Sequence, residues 1–142
     1  MPVRNAQARW EGSLQKGKGT MKLGSGAFEG KYSFQSRFEE GPGTNPEELI
    51  GAAHSGCFSM ALSHLLGQAG HHPEAVDTKA AVRVEKVGEG FKITQIDLET
   101  EATVPGMDEH QFQQKADEAK KNCPVSQALA GVDIRLKATL KN

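Results

Sequence analysis

The residues of this chain best suited to chemistry are its two cysteines, Cys57 and Cys123. Cys57 lies in an uncharged run over residues 49–70 that is typical of a buried helix, and Cys123 precedes Pro124 in a pattern typical of a helix start. A thiol at a helix N-terminus gains from the helix dipole, so the residues alone favour Cys123 as the better activated thiol. Two thiols so placed indicate a redox pair, although a lone cysteine in a buried helix is most often just a small apolar residue.

Composition limits the setting in which these thiols work. The chain has 142 residues, a formal net charge of -1 and 37% hydrophobic residues, which fits one soluble domain over residues 1–142. The N-terminus lacks the apolar segment of a secretory signal, so we expect a cytoplasmic protein whose thiols pair transiently. The absence of a CxxC motif excludes thioredoxin-type spacing, and without a basic run we expect no nucleic-acid partner. His54, His64 and Gln68 make the 49–70 run too polar to face lipid, so we expect no membrane partner.

A cysteine reacts as the thiolate, so Cys57 needs a nearby cation to offset its burial. The candidates are Arg37 and His54, and the permanent charge of the guanidinium favours Arg37. Glu47, in the first turn of the predicted helix, is the carboxylate best placed to hold Arg37, although a first-turn carboxylate is more often a simple dipole partner. Because 10 residues separate Glu47 from Cys57, about 15 Å along a helix, Glu47 must act through Arg37, through a helix break or across a dimer interface. A metal site made of Cys57, His54 and Cys123 would lack zinc-type ligand spacing, so we expect no metal.

The elements that position these residues follow from periodicity and turn signals. Asn45 is the expected N-cap of the central helix and Pro46 its first residue, with Glu48 able to close a capping box. Strands that follow one another without βαβα alternation predict an α+β fold with antiparallel sheet. The predicted strands are 7–15, 20–23, 32–38, 76–87, 91–104 and 132–140, and the other predicted helices are 109–121, with Phe112, Ala116 and Ala119 on one side, and 124–130.

The central helix carries two informative faces. A stripe of small residues indicates close packing against another backbone, and from it we expect a homodimer; it consists of Ala52, Gly56, Ser59 and Ser63. The face that holds Cys57 is apolar, with Ile50 and Met60 on it and Phe58 nearby. These three side chains are the predicted contacts for the organic part of a substrate.

The segment from Gly43 to Leu62, GTNPEELIGAAHSGCFSMAL, followed far downstream by CPVSQ over 123–127, closely resembles the osmotically inducible protein C (OsmC) family. The resemblance extends to residues 8–12 and 17–20 and so covers essentially the whole chain. It implies an α+β, OsmC-like fold in which antiparallel sheets wrap around two long central helices in an intertwined homodimer. It also implies two active sites at the subunit interface.

The same resemblance implies a thiol-dependent peroxidase that reduces organic hydroperoxides to alcohols in oxidative and osmotic stress defence. By position, Cys57 matches the peroxidatic cysteine and Cys123 the resolving cysteine, which overrules the preference for Cys123 drawn from the residues alone. Arg37 with Glu47 matches the pair that activates the thiolate. The resemblance implies no bound cofactor and an external dithiol reductant such as a lipoyl group.

One loop of this chain differs from its counterpart in another branch of the wider superfamily. The sister group of organic hydroperoxide resistance proteins places its active-site arginine in an N-terminal glycine-rich loop, whereas the loop over 17–19 here reads Gly-Lys-Gly. Arg37 must then supply the charge. Two other functions stay open from the residues: a thiol redox sensor, and a hydrophobic-ligand-binding stress dimer whose thiols are incidental.

Overall fold

Six strands and four helices form in the computed structural model, which describes residues 1–142. The chain divides into two compact units, Met1–Leu49 and Ile50–Asn142, so a single domain over the whole chain stays a prediction. In chain order the elements are β1 (Ala6–Glu11), β2 (Lys18–Leu23), β3 (Glu29–Tyr32), α1 (Phe34–Phe38), α2 (Pro46–Gln68), β4 (Ala75–Val87), β5 (Gly90–Thr103), α3 (Glu109–Asn122), α4 (Pro124–Ala128) and β6 (Asp133–Lys141).

The first unit contains a three-stranded antiparallel sheet in the order β1-β2-β3. Gly19 of β2 lies opposite Trp10 on one side and Tyr32 on the other, and these two rings pack with their centroids 5.3 Å apart. A Cβ at Gly19 would stand 2.5 Å from Tyr32 Cε1 and 2.6 Å from Trp10 Cε3. The ring contact therefore requires a glycine at this position.

The strand predicted over 32–38 is wrong, because β3 ends at Tyr32 and α1 follows it. Ser33 caps α1: its Oγ accepts a hydrogen bond from the Ser36 backbone N–H at 3.1 Å, and Ser36 Oγ accepts one from the Ser33 N–H at 2.8 Å. Phe34 and Phe38 fit the two-residue alternation of a strand, but they also have the four-residue spacing of a helix face. Their rings pack 5.1 Å apart on α1.

The long helix α2 begins where the sequence predicts. Asn45 Oδ1 accepts a hydrogen bond from the Glu48 N–H at 2.7 Å, and Pro46 is the first helical residue. The Glu48 carboxylate instead accepts from Thr44 Oγ1 at 2.6 Å, so the capping box expected of Glu48 is replaced by this contact. The helix continues without a break for 23 residues, which removes the helix break considered for Glu47.

The second unit contains a sheet in the order β4-β5-β6. The predicted hairpin is confirmed: β4 and β5 pair antiparallel and Val87 lies opposite Gly90 across the turn. The expectation of antiparallel pairing alone is wrong for β6, which runs parallel to β5. The physical reason is the connection, since α3 and α4 form a helical crossover that brings β6 back in the direction of β5.

The core of the second unit lies between α2, α3 and the sheet. Its fully buried members come from one face of α2, from β5 and from α3, where the predicted inner side is confirmed; they are Phe58, Leu62, Leu66, Ile96, Ala102, Phe112, Ala116 and Ala119. A chain of hydroxyls joins α2 to the sheet, with Ser59 Oγ 2.7 Å from Thr78 Oγ1 and that oxygen 2.9 Å from Thr100 Oγ1. These hydrogen bonds satisfy polar groups at the edge of an otherwise apolar core.

The opposite face of α2 is uncovered in the single chain and, apart from the exposed His64, apolar in its middle. Met60 is 76% exposed, and Ala52, Ala53 and Gly56 on the same side are exposed as well. By length and composition alone α2 is apolar enough to cross a membrane, with a mean hydropathy of 1.3 over its best 18-residue window, a property that core helices of soluble proteins share. The sequence prediction that this face packs against protein rather than lipid stays a prediction.

Candidate functional site

The second unit brings its two cysteines together with a serine and a histidine, and we call these four residues the thiol cluster: His54, Cys57, Cys123 and Ser126. Cys57 is half-buried on α2, and Cys123 is fully buried where α3 ends and α4 begins. Cys123 is the N-cap of α4, and its Sγ accepts a hydrogen bond from the Ser126 backbone N–H at 3.4 Å. Both cysteines are free thiols.

The surroundings of Cys57 within this cluster do not favour its thiolate. Burial raises the pKa of Cys57 above its ordinary value, and a hydrogen bond to the sulfur of Cys123 raises this pKa further. The backbone N–H of Val125 donates to the Cys57 sulfur and acts in the opposite direction, but it does not compensate. These contacts therefore make Cys57 harder to deprotonate than an ordinary cysteine.

The pKa of Cys123 is lowered, even though burial acts to raise it. Hydrogen bonds from the Cys57 thiol, the Ser126 hydroxyl and the backbone N–H groups of Ser126 and Val125 stabilise the anion and outweigh the burial. Of the two thiols, Cys123 is thus the more readily deprotonated. This agrees with the expectation drawn from the residues alone, which favoured Cys123 as the better activated thiol.

His54 joins the same cluster through Ser126. The side chain is fully buried, and its Nε2 lies 2.7 Å from Ser126 Oγ. Burial lowers the pKa of His54, so the imidazole is neutral and cannot be the cation that the sequence analysis considered. Its other ring nitrogen, Nδ1, is buried without a hydrogen-bond partner. Sequence reasoning missed the link to Ser126, for which the only sequence signals are the three-residue spacings of His54 from Cys57 and of Ser126 from Cys123.

The first unit brings together the predicted arginine and carboxylate. Arg37 Nε donates to Glu47 Oε1 at 3.1 Å and Arg37 Nη2 donates to Glu47 Oε2 at 3.0 Å, a bidentate pair. The Glu47 side chain is only 8% exposed and that of Arg37 36%. The guanidinium also lies over the ring of Phe38, with Cζ 5.0 Å from the ring centroid. The contact uses Nε and Nη2 and leaves Nη1 outside the pair.

Hydrogen bonds between α1 and the start of α2 fix the geometry of this pair. Ser36 Oγ donates to the Thr44 carbonyl at 2.7 Å, and Asn45 Nδ2 donates to the Ser36 carbonyl at 3.1 Å. The Thr44 N–H donates to the Lys31 carbonyl at 2.8 Å, which ties the same loop to β3. Because Ser36 and Asn45 are close in sequence to Arg37 and Glu47, these bonds limit the motion of both charged side chains.

The three side chains predicted to contact substrate lie in different environments. Met60 is exposed and Ile50 is half-buried against the core. Phe58 is fully buried in the core, so its position does not support the predicted substrate contact. The described residues contain no group of three or more His, Cys, Asp or Glu side chains arranged to hold a metal ion.

Comparison with known proteins gives consistent matches. The family model for OsmC-like proteins matches residues 39–137. The peroxiredoxin OsmC of Escherichia coli is 50% identical over 140 residues, which cover 98% of this chain and 97% of that protein. The organic hydroperoxide resistance protein of Xanthomonas axonopodis is 35% identical over 98 residues, covering 68% of this chain and 67% of that protein.

Solved structures agree at the level of the fold. An OsmC-like protein from Mycoplasma pneumoniae superposes with a TM-score of 0.76 over 99% of both chains, at 15% identity. An organic hydroperoxide resistance protein OsmC from Legionella pneumophila superposes with a TM-score of 0.68 over all of both chains, at 22% identity. At such low identity these structures establish the α+β fold alone. With the family model covering most of its length and a relative 50% identical over nearly all of it, this chain belongs to the OsmC-like protein family.

Proposed function

We propose that this chain is a cysteine-based peroxidase that reduces organic hydroperoxides to alcohols in stress defence. The observation that carries the proposal is the hydrogen-bonded pair of free thiols, Cys57 and Cys123, which come from helices far apart in the sequence. Relatives named peroxiredoxin and organic hydroperoxide resistance protein support the reaction and the substrate class. We place the enzyme in the cytoplasm, where reduced dithiols are available to recycle it.

The first step is a nucleophilic displacement at oxygen. The Cys57 thiolate attacks the terminal peroxide oxygen, so an S–O bond forms while the O–O bond breaks. The leaving alkoxide takes a proton and departs as the alcohol, and Cys57 becomes a sulfenic acid. The thiol loses two electrons in this step and the peroxide gains them.

Cys57 needs a cation for this step, because burial and the hydrogen bond to Cys123 raise its pKa. We assign that role to Arg37, as the family pattern implies, with Glu47 holding the guanidinium. The bidentate contact supports the assignment, since it fixes the guanidinium by two of its nitrogens and leaves Nη1 for another partner. Either subunit of a dimer could supply the Arg37–Glu47 pair to a given Cys57.

The second step resolves the oxidised cysteine. The Cys123 thiolate attacks the Cys57 sulfur, an S–S bond forms, the S–O bond breaks, and the hydroxide leaves as water after taking a proton. An external dithiol, such as a lipoyl group, then reduces the disulfide by thiol–disulfide exchange. The protein needs no bound cofactor for either step.

The proposed assembly is a homodimer in which the uncovered face of α2 packs against the second copy. Met60 and Ile50 would then lie near an enclosed site, where burial of an alkyl or aryl tail favours organic hydroperoxides over hydrogen peroxide. Equal catalytic efficiency on both peroxides would contradict this preference.

The test is steady-state consumption of cumene hydroperoxide and hydrogen peroxide, with dithiothreitol as reductant, by wild type, Cys57→Ser and Cys123→Ser. We expect rapid turnover of the organic peroxide by wild type and none by Cys57→Ser. Turnover limited to about one equivalent per chain would instead indicate a redox sensor. If peroxide leaves both thiols reduced, the proposal is wrong and a binding or structural dimer is the better account.

A further inference from the structure

The contact between His54 and Ser126 has no role in the reaction as described above. His54 is fully buried, and the only hydrogen bond of its ring is the 2.7 Å contact from Nε2 to Ser126 Oγ. Ser126 in turn contacts Cys123 twice, through its hydroxyl and through its backbone N–H. The three residues therefore form a continuous chain of contacts that ends at the sulfur of Cys123.

The unpaired Nδ1 of His54 indicates how the hydrogens of this chain are arranged. If Nδ1 carried the proton, a buried N–H would have no acceptor, which is rare and costly in folded proteins. The alternative tautomer carries the proton on Nε2, which then donates to Ser126 Oγ. Because a hydroxyl has a single proton, Ser126 must direct its own toward the sulfur of Cys123.

We propose that His54 and Ser126 form a hydrogen-bond relay that holds Cys123 ready to attack the oxidised Cys57, with His54 acting as a positioning residue through Ser126. This proposal rests on the proposed function, since it concerns the resolving step. It extends the site to His54 on α2, which is linked to the sulfur of Cys123 through Ser126.

The relay matters most after the peroxide has reacted. In the reduced pair the Cys57 thiol is one of the groups that stabilise the Cys123 anion. Once Cys57 is a sulfenic acid, that S–H donor is gone, while the hydroxyl and N–H of Ser126 remain. The Cys123 thiolate then attacks the Cys57 sulfur, the S–O bond breaks, and hydroxide leaves and is protonated to water by the proton that Cys123 had released to solvent. No additional oxidant or reductant is needed.

The test measures the ionisation of Cys123 directly, in full-length protein that carries Cys57→Ala so that a single thiol remains. The thiolate absorbance at 240 nm is followed against pH, which requires no access of a reagent to the buried sulfur. Into this background we introduce Ser126→Ala, His54→Leu and His54→Gln. Leucine fills the histidine site without a donor, whereas the glutamine amide can still donate to Ser126 Oγ.

We expect Ser126→Ala and His54→Leu to raise the midpoint of the Cys123 titration by about one pKa unit, and His54→Gln to restore most of it. Midpoints that agree within about 0.3 unit in all variants would overturn the relay, as would equal shifts in His54→Leu and His54→Gln. The ¹⁵N chemical shifts of His54 give a second measurement, because they must report the tautomer protonated on Nε2.

The kinetic consequence separates this proposal from the proposed function. With two cysteines present, Ser126→Ala should slow conversion of the Cys57 sulfenic acid to the disulfide about threefold for each unit by which the Cys123 pKa rises above the assay pH, because the tenfold loss of thiolate is partly offset by its greater nucleophilicity. The titration uses no peroxide, so it can confirm the relay even if turnover fails. Conversely, turnover with an unshifted titration would keep the peroxidase and remove the relay.

Discussion

The uncovered face of α2 predicts that a substitution at Met60 weakens a homodimer. Met60 is 76% exposed in the single chain, next to exposed Ala52, Ala53 and Gly56. In a monomer, Met60→Lys would be an ordinary surface substitution that changes the free energy of unfolding by no more than about 0.5 kcal/mol. In a symmetric dimer packed through this face, each subunit would bury Met60, and the substitution would act twice.

In the dimer, the expected loss of association free energy follows from the apolar surface that Met60 would no longer bury. Burying one Met side chain is worth about 1.5–3 kcal/mol, so two copies lose about 3–6 kcal/mol of association free energy. The desolvation of an unpaired ammonium adds to this loss. Since each 1.4 kcal/mol is a factor of ten, we expect the dimer dissociation constant to rise by at least about 100-fold.

The assay is light scattering at micromolar concentration, with Val87→Lys as the matched control. Val87 is also apolar and exposed, at 52%, but lies at the β4–β5 turn. Wild type and Val87→Lys should have about twice the chain mass of 15.3 kDa, and Met60→Lys should shift toward that single mass. A wild-type mass of one chain, or a Met60→Lys dimer as tight as wild type, would refute the reasoning that this face is an interface.

Three further predictions concern the site and the fold. Arg37→Lys keeps the charge but loses the fork that binds both Glu47 oxygens, so kcat/KM for cumene hydroperoxide should fall roughly 10- to 100-fold; unchanged kinetics would mean that the pair only stabilises the fold. The pKa of His54 is lowered in the folded state, so on acidification the unfolded chain binds this proton first, and the free energy of unfolding of wild type should fall as pH drops below about 6.5. Urea unfolding at pH 7.5 and 5.5 should show this loss in wild type and not in His54→Gln. An equal loss in the two proteins would contradict a neutral buried His54. Gly19→Ala should cost about 1–3 kcal/mol by pressing on two aromatic rings, whereas Gly131→Ala, where a Cβ meets nothing within 4 Å, should change stability by no more than about 0.5 kcal/mol; similar thermal shifts for the two would refute the packing argument.

Local signals in the sequence predict most of the fold. The Asn45-Pro46 start of α2 and the hairpin turn at 88–90 depend on capping and turn chemistry within a few residues. The local sequence alone therefore predicts both features. Phe34–Phe38 is ambiguous by pattern, and its helix depends on the Ser33 cap that the alternation conceals. The parallel pairing of β6 with β5 depends on how the two intervening helices pack, which no local pattern reports.

The candidate site likewise combines residues that the sequence singles out with contacts that only the fold reveals. The types and positions of Cys57, Cys123, Arg37 and Glu47 made them candidates from the sequence, and the structure forms the Cys57–Cys123 and Arg37–Glu47 contacts. The contact of His54 with Ser126 joins α2 to α4 across a long sequence separation, so it required the fold. For Phe58, the helical wheel places it next to the Cys57 face, but only the packed core shows that it is fully enclosed.

We expect that Cys57, not Cys123, attacks the peroxide, although the thiol cluster raises the pKa of Cys57 and lowers that of Cys123. The most direct test treats Cys57→Ser and Cys123→Ser with one equivalent of cumene hydroperoxide, traps sulfenic acid with dimedone and maps the adduct by mass spectrometry. We expect fast adduct formation on Cys57 in Cys123→Ser, with one alcohol released per chain, and little adduct in Cys57→Ser. An adduct that forms on Cys123 in Cys57→Ser at a comparable rate would contradict it.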